Sequence, residues 1–484
     1  MVKLSADIID EHLTNAINDS IEKNAFPDEA KIAHVVPIFK KKLRTEKVNY
    51  RPVSVLTTFS KVFEKFIQEN ITAHINKSLS IFISAYRKKY SSNHVLIRLL
   101  EKWKERLDNK KFVGAVLMDL SKAFDCVPHD LLIAKLHAYG FDHNSLVFLY
   151  SYLKRRKQSV KINNTFSALL ILVSGVPQGS ILGPILFNIF INDLLLFIEN
   201  SDIVNFADDN TVSAFSDTIP DLLRILESES NVAIKWFLTN EMIVNPDKFQ
   251  AIIINKHSRL HESFKLKVGT YEIETQNCVE LLGIEIDDKL NFKKHISKLC
   301  KKAAGQLNSI CRLKRDMNKD AMKVLIESFV YANFNYCPLV WHFCNPQSIR
   351  NMEKIQERAL RLIYDDNESS YEHILTVANK PNLELRRIRL LAIEIFKTLN
   401  NLNPIYLKEI FILNTRNDKN KLYVQSQKSK AYGENSLRSL GPKIWNSLPE
   451  HFRQYRSIES FKDLINTWSG PMCKCNICSY LQEV

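Results

Sequence analysis

Three aspartates, each at or just beyond the end of a short apolar run, constrain this chain more than any other feature. Residues 112–120 form one apolar run, which holds Asp119 near its end, and residues 203–206 form a second, which leads into Asp208 and Asp209. Both runs have the length and content of β-strands. Because the second strand pattern resumes at residues 211–215, residues 207–210 are predicted to form the tip of a hairpin with two adjacent aspartates.

Helical patterns surround these strands. From residue 58 onward apolar side chains recur at helical spacing, which predicts an amphipathic helix. They are Phe59, Val62, Phe63, Phe66, Ile67 and Ile71. After residue 291 an apolar stripe from Phe292 to Ile310 indicates another helix, with five lysines off the stripe that form either a solvated face or a nucleic-acid contact: Lys293, Lys294, Lys298, Lys301 and Lys302. Helices combined with a small antiparallel sheet predict an α+β core.

The most apolar stretch, residues 181–198, has the length of a membrane span. Asn188, Asn192 and Asp193 interrupt it, and a charge inside a span is costly, so a buried core helix is predicted instead. Residues 1–20 lack the pattern of a signal peptide. Nine scattered cysteines form no disulfide framework, so an intracellular protein that is not secreted is expected.

Charge narrows the class of partner. The 484 residues include 67 lysines and arginines against 53 acidic residues, a formal net charge of +14. This excess favours an anionic partner, either nucleic acid or a membrane surface. The length predicts two to four domains, and the absence of low-complexity linkers indicates that they are closely joined.

Carboxylates at strand ends suit one particular chemistry. Nucleotidyl transfer requires metal ions that neutralise a triphosphate and activate a hydroxyl, and Mg²⁺ prefers oxygen ligands. Asp119, Asp208 and Asp209 would meet that need if their strands were neighbours. By spacing alone, a solvated acidic loop remains the alternative.

Three long motifs carry a family resemblance. They are GAVLMDLSKAFDCVPHDLLIAKL at residues 114–136, SGVPQGSILGPILFNIFINDL at residues 174–194 and NFADDNTVSAF at residues 205–215. In this order they resemble the catalytic motifs of reverse transcriptases from non-LTR (LINE-type) retrotransposons. The resemblance implies a right-hand polymerase with fingers, palm and thumb, followed by a mainly helical C-terminal region. It implies RNA-directed DNA synthesis on an RNA template from a DNA primer and deoxynucleoside triphosphates, without a membrane partner.

The resemblance also assigns roles in the catalytic centre. Asp119 and Asp208 match the ligands of two Mg²⁺ ions, or Mn²⁺ in their place, and Asp209 is the third acidic member. Phe124 matches the aromatic residue that excludes a ribose 2′-hydroxyl by steric clash. Lys248 in NPDK resembles the lysine that protonates the departing pyrophosphate, with a surface lysine as the alternative.

Further roles follow from the flanking motifs. Gln178 and Gly179 resemble the loop that contacts the incoming nucleotide and the template, and Ser180 is expected to cap the helix that follows. Lys40 in PIFKKK and Arg51 in NYRPVSVL match residues that hold the triphosphate. At the base of the thumb, Leu282 and Gly283 resemble the turn that grips the primer.

The chain departs from the family pattern in the fingers. Leu43 and Arg44 stand where a glycine is common after the lysine run, and Ala85 and Lys89 stand at two further common glycine positions. These changes put the loop geometry in question. The residues before Phe26 are too few for the upstream endonuclease of such elements. A truncated copy or fragment that does not nick its own target is therefore expected.

The resemblance divides the chain into four parts: a helical lead-in at 1–25, fingers and palm at 26–290, a thumb-like region at 291–345 and a helical C-terminal region at 346–484. The tail CKCNIC places Cys473, Cys475 and Cys478 close together, but no fourth zinc ligand lies at motif spacing, so free thiols are expected. Two alternatives remain to an active polymerase. One is an inactive nucleic-acid-binding remnant, and the other is a domesticated structural protein.

Overall fold

A computed structural model describes residues 6–40, 43–254, 263–414 and 420–471. The Cys473, Cys475 and Cys478 cluster, and with it the zinc hypothesis, lies outside the described residues. The first elements are α1 (Ala6–Glu22), β1 (Ile32–Phe39), β2 (Tyr50–Val55), α2 (Thr58–Ile75) and α3 (Ser92–Asp108). They are followed by β3 (Phe112–Asp119), α4 (Ala123–Cys126), α5 (His129–Ala138), α6 (His143–Leu153), β4 (Lys157–Ile162), β5 (Thr165–Phe166), β6 (Leu170–Ile171) and α7 (Gly183–Ile191).

The middle of the chain returns to strands before it becomes helical. Its elements are β7 (Asp202–Phe206), β8 (Asp209–Ser216), α8 (Ile219–Thr239), β9 (Gln250–Ile254), β10 (Lys265–Val268), β11 (Tyr271–Glu274), β12 (Cys278–Leu281) and β13 (Ile284–Asp287). The helices that follow are α9 (Lys293–Arg312), α10 (Lys319–Leu325), α11 (Pro346–Tyr364), α12 (Tyr371–Ala378), α13 (Leu383–Leu399), α14 (Leu437–Ser447), α15 (Glu450–Arg453) and α16 (Ile458–Thr467). The predicted α+β class is confirmed.

A four-stranded antiparallel sheet in the order β7-β8-β3-β9 lies at the centre. Strand β3 is buried on both faces, because its alternate side chains point to opposite sides of the sheet. Val113, Ala115 and Leu117 join a core shared with α3 and the C-terminal helices. Val116 and Met118 join a second core, built with α2 and α5 to α8. Burial on both faces explains why the run is almost continuously apolar.

The second sheet holds the N-terminal strands. Strand β1 pairs antiparallel with β2 and parallel with β4, and β5 and β6 each pair with β4. Two hairpins, β10–β11 and β12–β13, complete the strands between the central sheet and the helical half of the chain. The β12–β13 hairpin carries the predicted primer-gripping turn.

The two predicted amphipathic helices both form, but they bury different shares of their stripes. In α9 the stripe is buried or half-buried, as expected for a helix that packs between two elements. In α2 only Phe63, Ile67 and Ile71 are buried, while Phe59, Val62 and Phe66 are 37–46% exposed. The helical spacing was therefore a correct guide to the secondary structure and an incomplete guide to burial.

The apolar stretch at residues 181–198 forms the predicted core helix, α7, and a 3₁₀ turn at Asn192–Leu196. Its polar residues have hydrogen-bond or ion-pair partners inside the protein, except that the Asn188 side-chain oxygen has none among the described residues. The Asn188 side chain donates to the Ala85 carbonyl at 2.8 Å, and Asp193 pairs with Lys135 at 2.8 Å. None of the helices within the described ranges combines the length and apolarity of a membrane span.

Candidate active site

The ends of β3 and β8 bring the three aspartates together. The antiparallel register sets Asp119 opposite Asp209, and Asp208 precedes Asp209 in the tight turn from β7. This turn is shorter than the predicted tip, because Asp209 already pairs with Phe206 as the first residue of β8. Ala207 enters the turn with a φ of 56°, in the left-handed region. The predicted hairpin is confirmed, and its tip consists of Ala207 and Asp208.

Two buried asparagines hold the hairpin tip. The Asn205 side chain donates to the Asn210 side-chain oxygen at 2.7 Å and to the Ala207 carbonyl at 3.1 Å. The Asn210 side chain in turn donates to the Asp208 carbonyl at 3.0 Å. These residues were not among the predicted site residues. The signal was available, because a buried strand tolerates an asparagine only where its amide finds partners.

The electrostatics of the tip are those of crowded carboxylates. Burial raises the pKa of Asp209 to about 6, with further contributions from the negative charges of Asp208 and Asp119 and opposing ones from Lys248 and Lys40. Within the described ranges, no other residue donates a side-chain or backbone hydrogen bond to the Asp209 carboxylate. Burial without partners and nearby like charges both disfavour the ionised form, so such a site gains stability from a bound cation.

Asp208 also lies close to cationic side chains on and next to the N-terminal strands. Burial raises its pKa, the charge of Asp119 adds to that rise, and the positive charges of Arg51 and Lys40 oppose it. Lys40 follows β1, and Arg51 lies on β2, where it pairs with Ile38. Both side chains are exposed. The two side chains predicted to bind the triphosphate therefore lie close enough for their charges to act on the Asp208 carboxylate.

Lys248 is placed directly at the carboxylates. Its ammonium lies 2.6 Å from Asp119 Oδ2, at the end of a 3₁₀ turn that spans Pro246–Lys248. The turn is attached to the strand end, because the Asn245 amide donates to the Asp119 carbonyl at 3.0 Å. Lys248 is about half exposed and supplies the positive charge nearest to Asp119. Lys248 is thus an exposed lysine beside a turn that also pairs with a carboxylate of the site, and its role toward pyrophosphate stays a prediction.

Phe124 has a rigid aromatic support. It lies on α4, with its ring stacked on Phe187 of α7 at a centroid distance of 4.8 Å. Tyr86 contacts it edge-on at 6.1 Å. Only 9% of Phe124 is exposed, so its ring position is fixed by packing. Tyr86, which sequence reasoning did not single out, also lies near Asp208, whose charge adds to burial in raising the pKa of the Tyr86 hydroxyl.

The Gln178–Gly179 loop is hydrogen-bonded to strand β2. The Ser54 amide donates to the Gln178 carbonyl at 2.8 Å. Gly179 has a φ of +128°, and a Cβ there would lie 2.4 Å from the Ser54 carbonyl oxygen. No other residue fits without moving the strand. Ser180 accepts a hydrogen bond from the Gly183 amide, the first amide of α7, at 2.9 Å, although the N-cap position itself is Leu182, which has no side-chain cap.

A buried carboxylate that the sequence did not reveal supports this loop. Glu64 of α2 is fully buried, and its oxygens accept the Ile181 amide at 2.6 Å and the Tyr152 hydroxyl at 3.0 Å. Its pKa is raised by burial against these hydrogen bonds. Glu64 therefore positions the loop rather than contacting substrate. Its position on the apolar side of α2 was the available signal.

Two loops carry other residues where glycine is common in the family, and they accommodate these residues differently. Lys89 adopts a φ of 73°, a left-handed conformation that costs a non-glycine residue about 1–2 kcal/mol. Its ammonium donates to the Asn401 carbonyl at 2.6 Å, which ties the loop to the C-terminal region. Ala85 is buried and has an ordinary φ. In the other loop, the Leu43 and Arg44 carbonyls accept hydrogen bonds from Asn49 and Tyr50 side chains.

The predicted primer-gripping turn is a two-residue hairpin turn. Leu282 and Gly283 have φ values of 47° and 77°, as a type I′ turn requires. The Tyr336 hydroxyl donates to the Leu282 carbonyl at 2.6 Å. Beside the turn is a depression of about 390 Å³, where Lys298 and Lys302 join Gly283 and Tyr336 in the lining.

Part of the α9 lysine face is used within the protein. Lys298 pairs with Glu285 at 2.8 Å, and Lys294 approaches the same carboxylate at 3.8 Å. Glu285 is buried, so these lysines compensate its charge as well as facing solvent. For the other lysines of this face, a solvated surface and a nucleic-acid contact both stay predictions. Within the described ranges, Lys301 and Lys302 have no carboxylate partner.

The donor set suits magnesium, which takes carboxylate oxygens and keeps some of its waters. Within the described ranges, no group of three or more His, Cys, Asp or Glu side chains already stands at the geometry of a metal site. Asp119 is paired with Lys248 instead. The fit therefore rests on oxygen chemistry and on the mutual repulsion of the carboxylates.

Comparison with known proteins gives a consistent result. The family model described as "Reverse transcriptase (RNA-dependent DNA polymerase)" matches residues 38–286, about half of the chain. A probable RNA-directed DNA polymerase from transposon BS of Drosophila melanogaster is 25% identical over 367 residues, covering 73% of this chain and 40% of that protein. The RNA-directed DNA polymerase from mobile element jockey of the same organism is 25% identical over 308 residues, covering 62% and 33%.

The chain thus spans less than half the length of these relatives. Among solved structures, apo telomerase from Candida tropicalis is similar with a TM-score of 0.44 and 12% identity, over 79% of this chain and 65% of that chain. Each of the three aspartates, together with Phe124, Gln178 and Lys248, lies within the matched residues 38–286.

Proposed function

Since this chain belongs to the reverse transcriptase (RNA-dependent DNA polymerase) family, we propose that it synthesises DNA on an RNA template as the polymerase of a non-LTR retrotransposon. One observation carries the proposal: the register of β3 and β8 sets Asp119 opposite Asp209, with Asp208 in the adjoining turn. The reaction joins a primer 3′-hydroxyl to the α-phosphorus of a deoxynucleoside triphosphate and releases pyrophosphate.

Asp119, Asp208 and Asp209 would hold two magnesium ions. When bound, these ions neutralise the triphosphate, activate the hydroxyl and stabilise the leaving oxygen. The protein prepares the site by gathering three carboxylates, and burial and repulsion between charges disfavour the ionised forms of Asp208 and Asp209. Because the strand register fixes their backbone positions, little reorganisation accompanies binding.

Cationic side chains on both sides of the aspartates would receive the triphosphate. Lys40 and Arg51 approach from the fingers, and both already lower the pKa of Asp208. The Arg51 guanidinium offers paired donors that match phosphate oxygens. Lys248, at 2.6 Å from Asp119, can exchange that contact for the departing pyrophosphate and donate a proton to it.

Phe124 would select deoxynucleotides. Its ring is stacked on Phe187 and cannot yield to an additional 2′-oxygen without disturbing α7. Replacing Phe124 by valine should raise the incorporation of ribonucleotides relative to deoxynucleotides by tenfold or more, the order associated with opening one contact in a fitted site. The measurement is the ratio of the two incorporation efficiencies for a matched base. An unchanged ratio would assign the selection to another residue.

Primer extension on an RNA template tests the polymerase itself. We expect Asp208→Asn to reduce extension by at least about 10²-fold, the order of losing one preorganised electrostatic contact, while RNA binding persists. The matched control is Asp130→Asn, because Asp130 is an exposed acidic residue on α5. Extension by the parent and the control but not by Asp208→Asn supports the assignment. Equal extension by all three would refute it, and a parent that binds RNA without extending would indicate the binding-remnant alternative.

A further inference from the structure

A row of unneutralised cations runs along α11. Arg350, Lys354 and Arg358 follow one another at intervals of four residues, so they lie on one helix face about 6 Å apart along the axis. All three are exposed. Within the described ranges none forms an ion pair, in contrast to Arg361 on the same helix, which is 2.7 Å from Glu357.

The partners of these arginines are neutral amides. Arg350 donates to the Gln347 side chain at 2.9 Å, and Arg358 donates to Asn308 of α9 at 2.7 Å. Such contacts orient a guanidinium without cancelling its charge. The row therefore keeps its positive charge at the surface, where an anionic ligand would find donors already directed.

The row lies along the seam where α11 packs on α9. Two depressions follow this seam. The first, of about 530 Å³, has Lys293 and Arg350 in its lining and no acidic side chain. The second, of about 450 Å³, has Lys354 and Arg358 in its lining.

The acidic residues of the second depression are already compensated. Glu357 pairs with Arg361 at 2.7 Å, and Asp365 pairs with Lys314 at 2.5 Å. The charges of Lys354 and Arg358 are thus in excess at this end of the seam. Positive charge extends along the whole seam as a result.

This seam is separate from the primer-gripping side of α9. Lys302, which faces the depression beside Gly283, lies nine residues after Lys293. Nine residues are two and a half helical turns, so Lys293 and Lys302 project from opposite flanks of α9. A strand held in the cleft by one flank cannot also occupy the seam on the other.

We propose that the α9–α11 seam binds the phosphate backbone of a nucleic-acid segment that lies outside the polymerase cleft. Exposed lysines and arginines that neutralise phosphates gain free energy from released counterions. The first depression adds the hydroxyl and amide groups of Ser297, Asn345 and Gln347, which suit phosphate and sugar oxygens. A membrane surface would instead favour large apolar side chains beside the cations. The proposal does not depend on polymerase activity, because binding is measured without nucleotides.

The test compares two ligands on the full chain: a short RNA–DNA hybrid, and the same hybrid with a long duplex extension. The seam variant carries Arg350→Gln, Lys354→Gln and Arg358→Gln. We expect the parent to bind the extended hybrid more tightly, and the seam variant to lose tenfold or more of that affinity. For the extended hybrid, the slope of log affinity against log salt should become shallower by about 2 to 3, at roughly 0.9 per phosphate contact. Binding of the short hybrid should not change.

Two further variants make the result specific. Substituting the exposed cations Lys408, Lys443 and Lys462 by glutamine removes the same charge elsewhere and should leave both affinities unchanged. The pair Arg350→Lys and Arg358→Lys removes the guanidinium contacts but keeps the charge, so it should retain the salt slope. Equal loss on both hybrids, no loss, a loss shared by the lysine control, or a loss only for phosphatidylserine vesicles would each overturn the proposal.

Discussion

Buried carboxylates at the strand ends around Asp119 differ in their hydrogen bonding from those in the helices that follow α9. Asp208 and Asp209 are half-buried, their pKa values are raised, and within the described ranges no other residue donates a hydrogen bond to their side chains. Glu353 of α11, by contrast, is buried and accepts the Tyr371 hydroxyl at 2.6 Å and the Leu383 amide at 3.2 Å. Carboxylates without hydrogen-bond donors mark the region that is expected to bind a ligand, and carboxylates with donors mark the region that stabilises the fold.

The pKa of Glu394 is shifted in the opposite direction from the pKa values of Asp208 and Asp209. Burial alone would raise its pKa, but the hydrogen bond from His94 and the charge of Lys397 bring the pKa down to about 2. His94 lies on α3 and Glu394 on α13, at 3.2 Å. This carboxylate therefore attaches the C-terminal helices to the helix that precedes the central sheet. Its charge stabilises the protein, whereas the charges at the hairpin tip oppose folding.

The largest expected effect is the acid sensitivity of this attachment. Because the pKa of Glu394 is lower in the folded chain than its ordinary value of 4.5, its contribution is present above about pH 4.5 and is lost as the pH falls toward 2. That contribution is about 3 kcal/mol, at about 1.36 kcal/mol per pKa unit. The free energy of unfolding of Glu394→Gln should therefore lie about 3 kcal/mol below that of the parent at pH 6, and the difference should shrink by pH 3. A difference that does not vary with pH would contradict this account.

A smaller loss is expected at Glu353. Its carboxylate caps α13, where it also accepts the Glu384 amide at 3.1 Å. Glu353→Gln keeps the shape but removes the charge and turns one acceptor into a donor, which should cost about 2 kcal/mol of unfolding free energy. The control is Glu372→Gln, an exposed position on α12 that should change stability by less than about 0.5 kcal/mol. If both variants unfold at the same denaturant midpoint, the capping role is wrong.

Much of the catalytic face could be predicted from the sequence because its signals are local. Residues 112–120 predicted β3 to within one residue, and residues 203–215 predicted the hairpin. The interrupted apolar run predicted the buried helix α7. In each case the side chains that define the element lie within a few positions of one another, so periodicity and turn chemistry were sufficient.

Contacts between distant parts of the chain could not be predicted in this way. Glu101 of α3 is buried and accepts the Leu437 and Arg438 amides at 2.9 Å, capping α14 from more than 330 residues away. Lys89 reaches Asn401 across a similar distance in sequence. A single sequence contains no periodicity that pairs such residues, since only the tertiary fold brings them together. The attachment of α3 to the C-terminal helices through its buried charges therefore had no signal in the sequence.

The smallest expected effect has the opposite sign and lies at the hairpin tip. The raised pKa of the Asp209 carboxylate indicates that its charge opposes folding, and the cost of burying an unpartnered amide offsets part of the gain from removing it, so Asp209→Asn should raise the unfolding free energy by about 1 kcal/mol in EDTA at neutral pH. Magnesium should then stabilise the parent more than the variant, because the parent binds it more tightly in the folded state.

Asp217→Asn provides the matched control for Asp209→Asn. Asp217 follows β8, is 75% exposed and pairs with Lys111 at 2.6 Å, so its loss should change stability little in either buffer. Denaturant unfolding of the three proteins with EDTA and with magnesium measures both effects. An Asp209→Asn protein that is less stable than the parent in EDTA would mean that the tip carboxylates support the fold, as Glu353 does. The distinction between the two regions would then fail, because the carboxylates at the hairpin tip would not destabilise the fold as carboxylates gathered to bind a cation are expected to do.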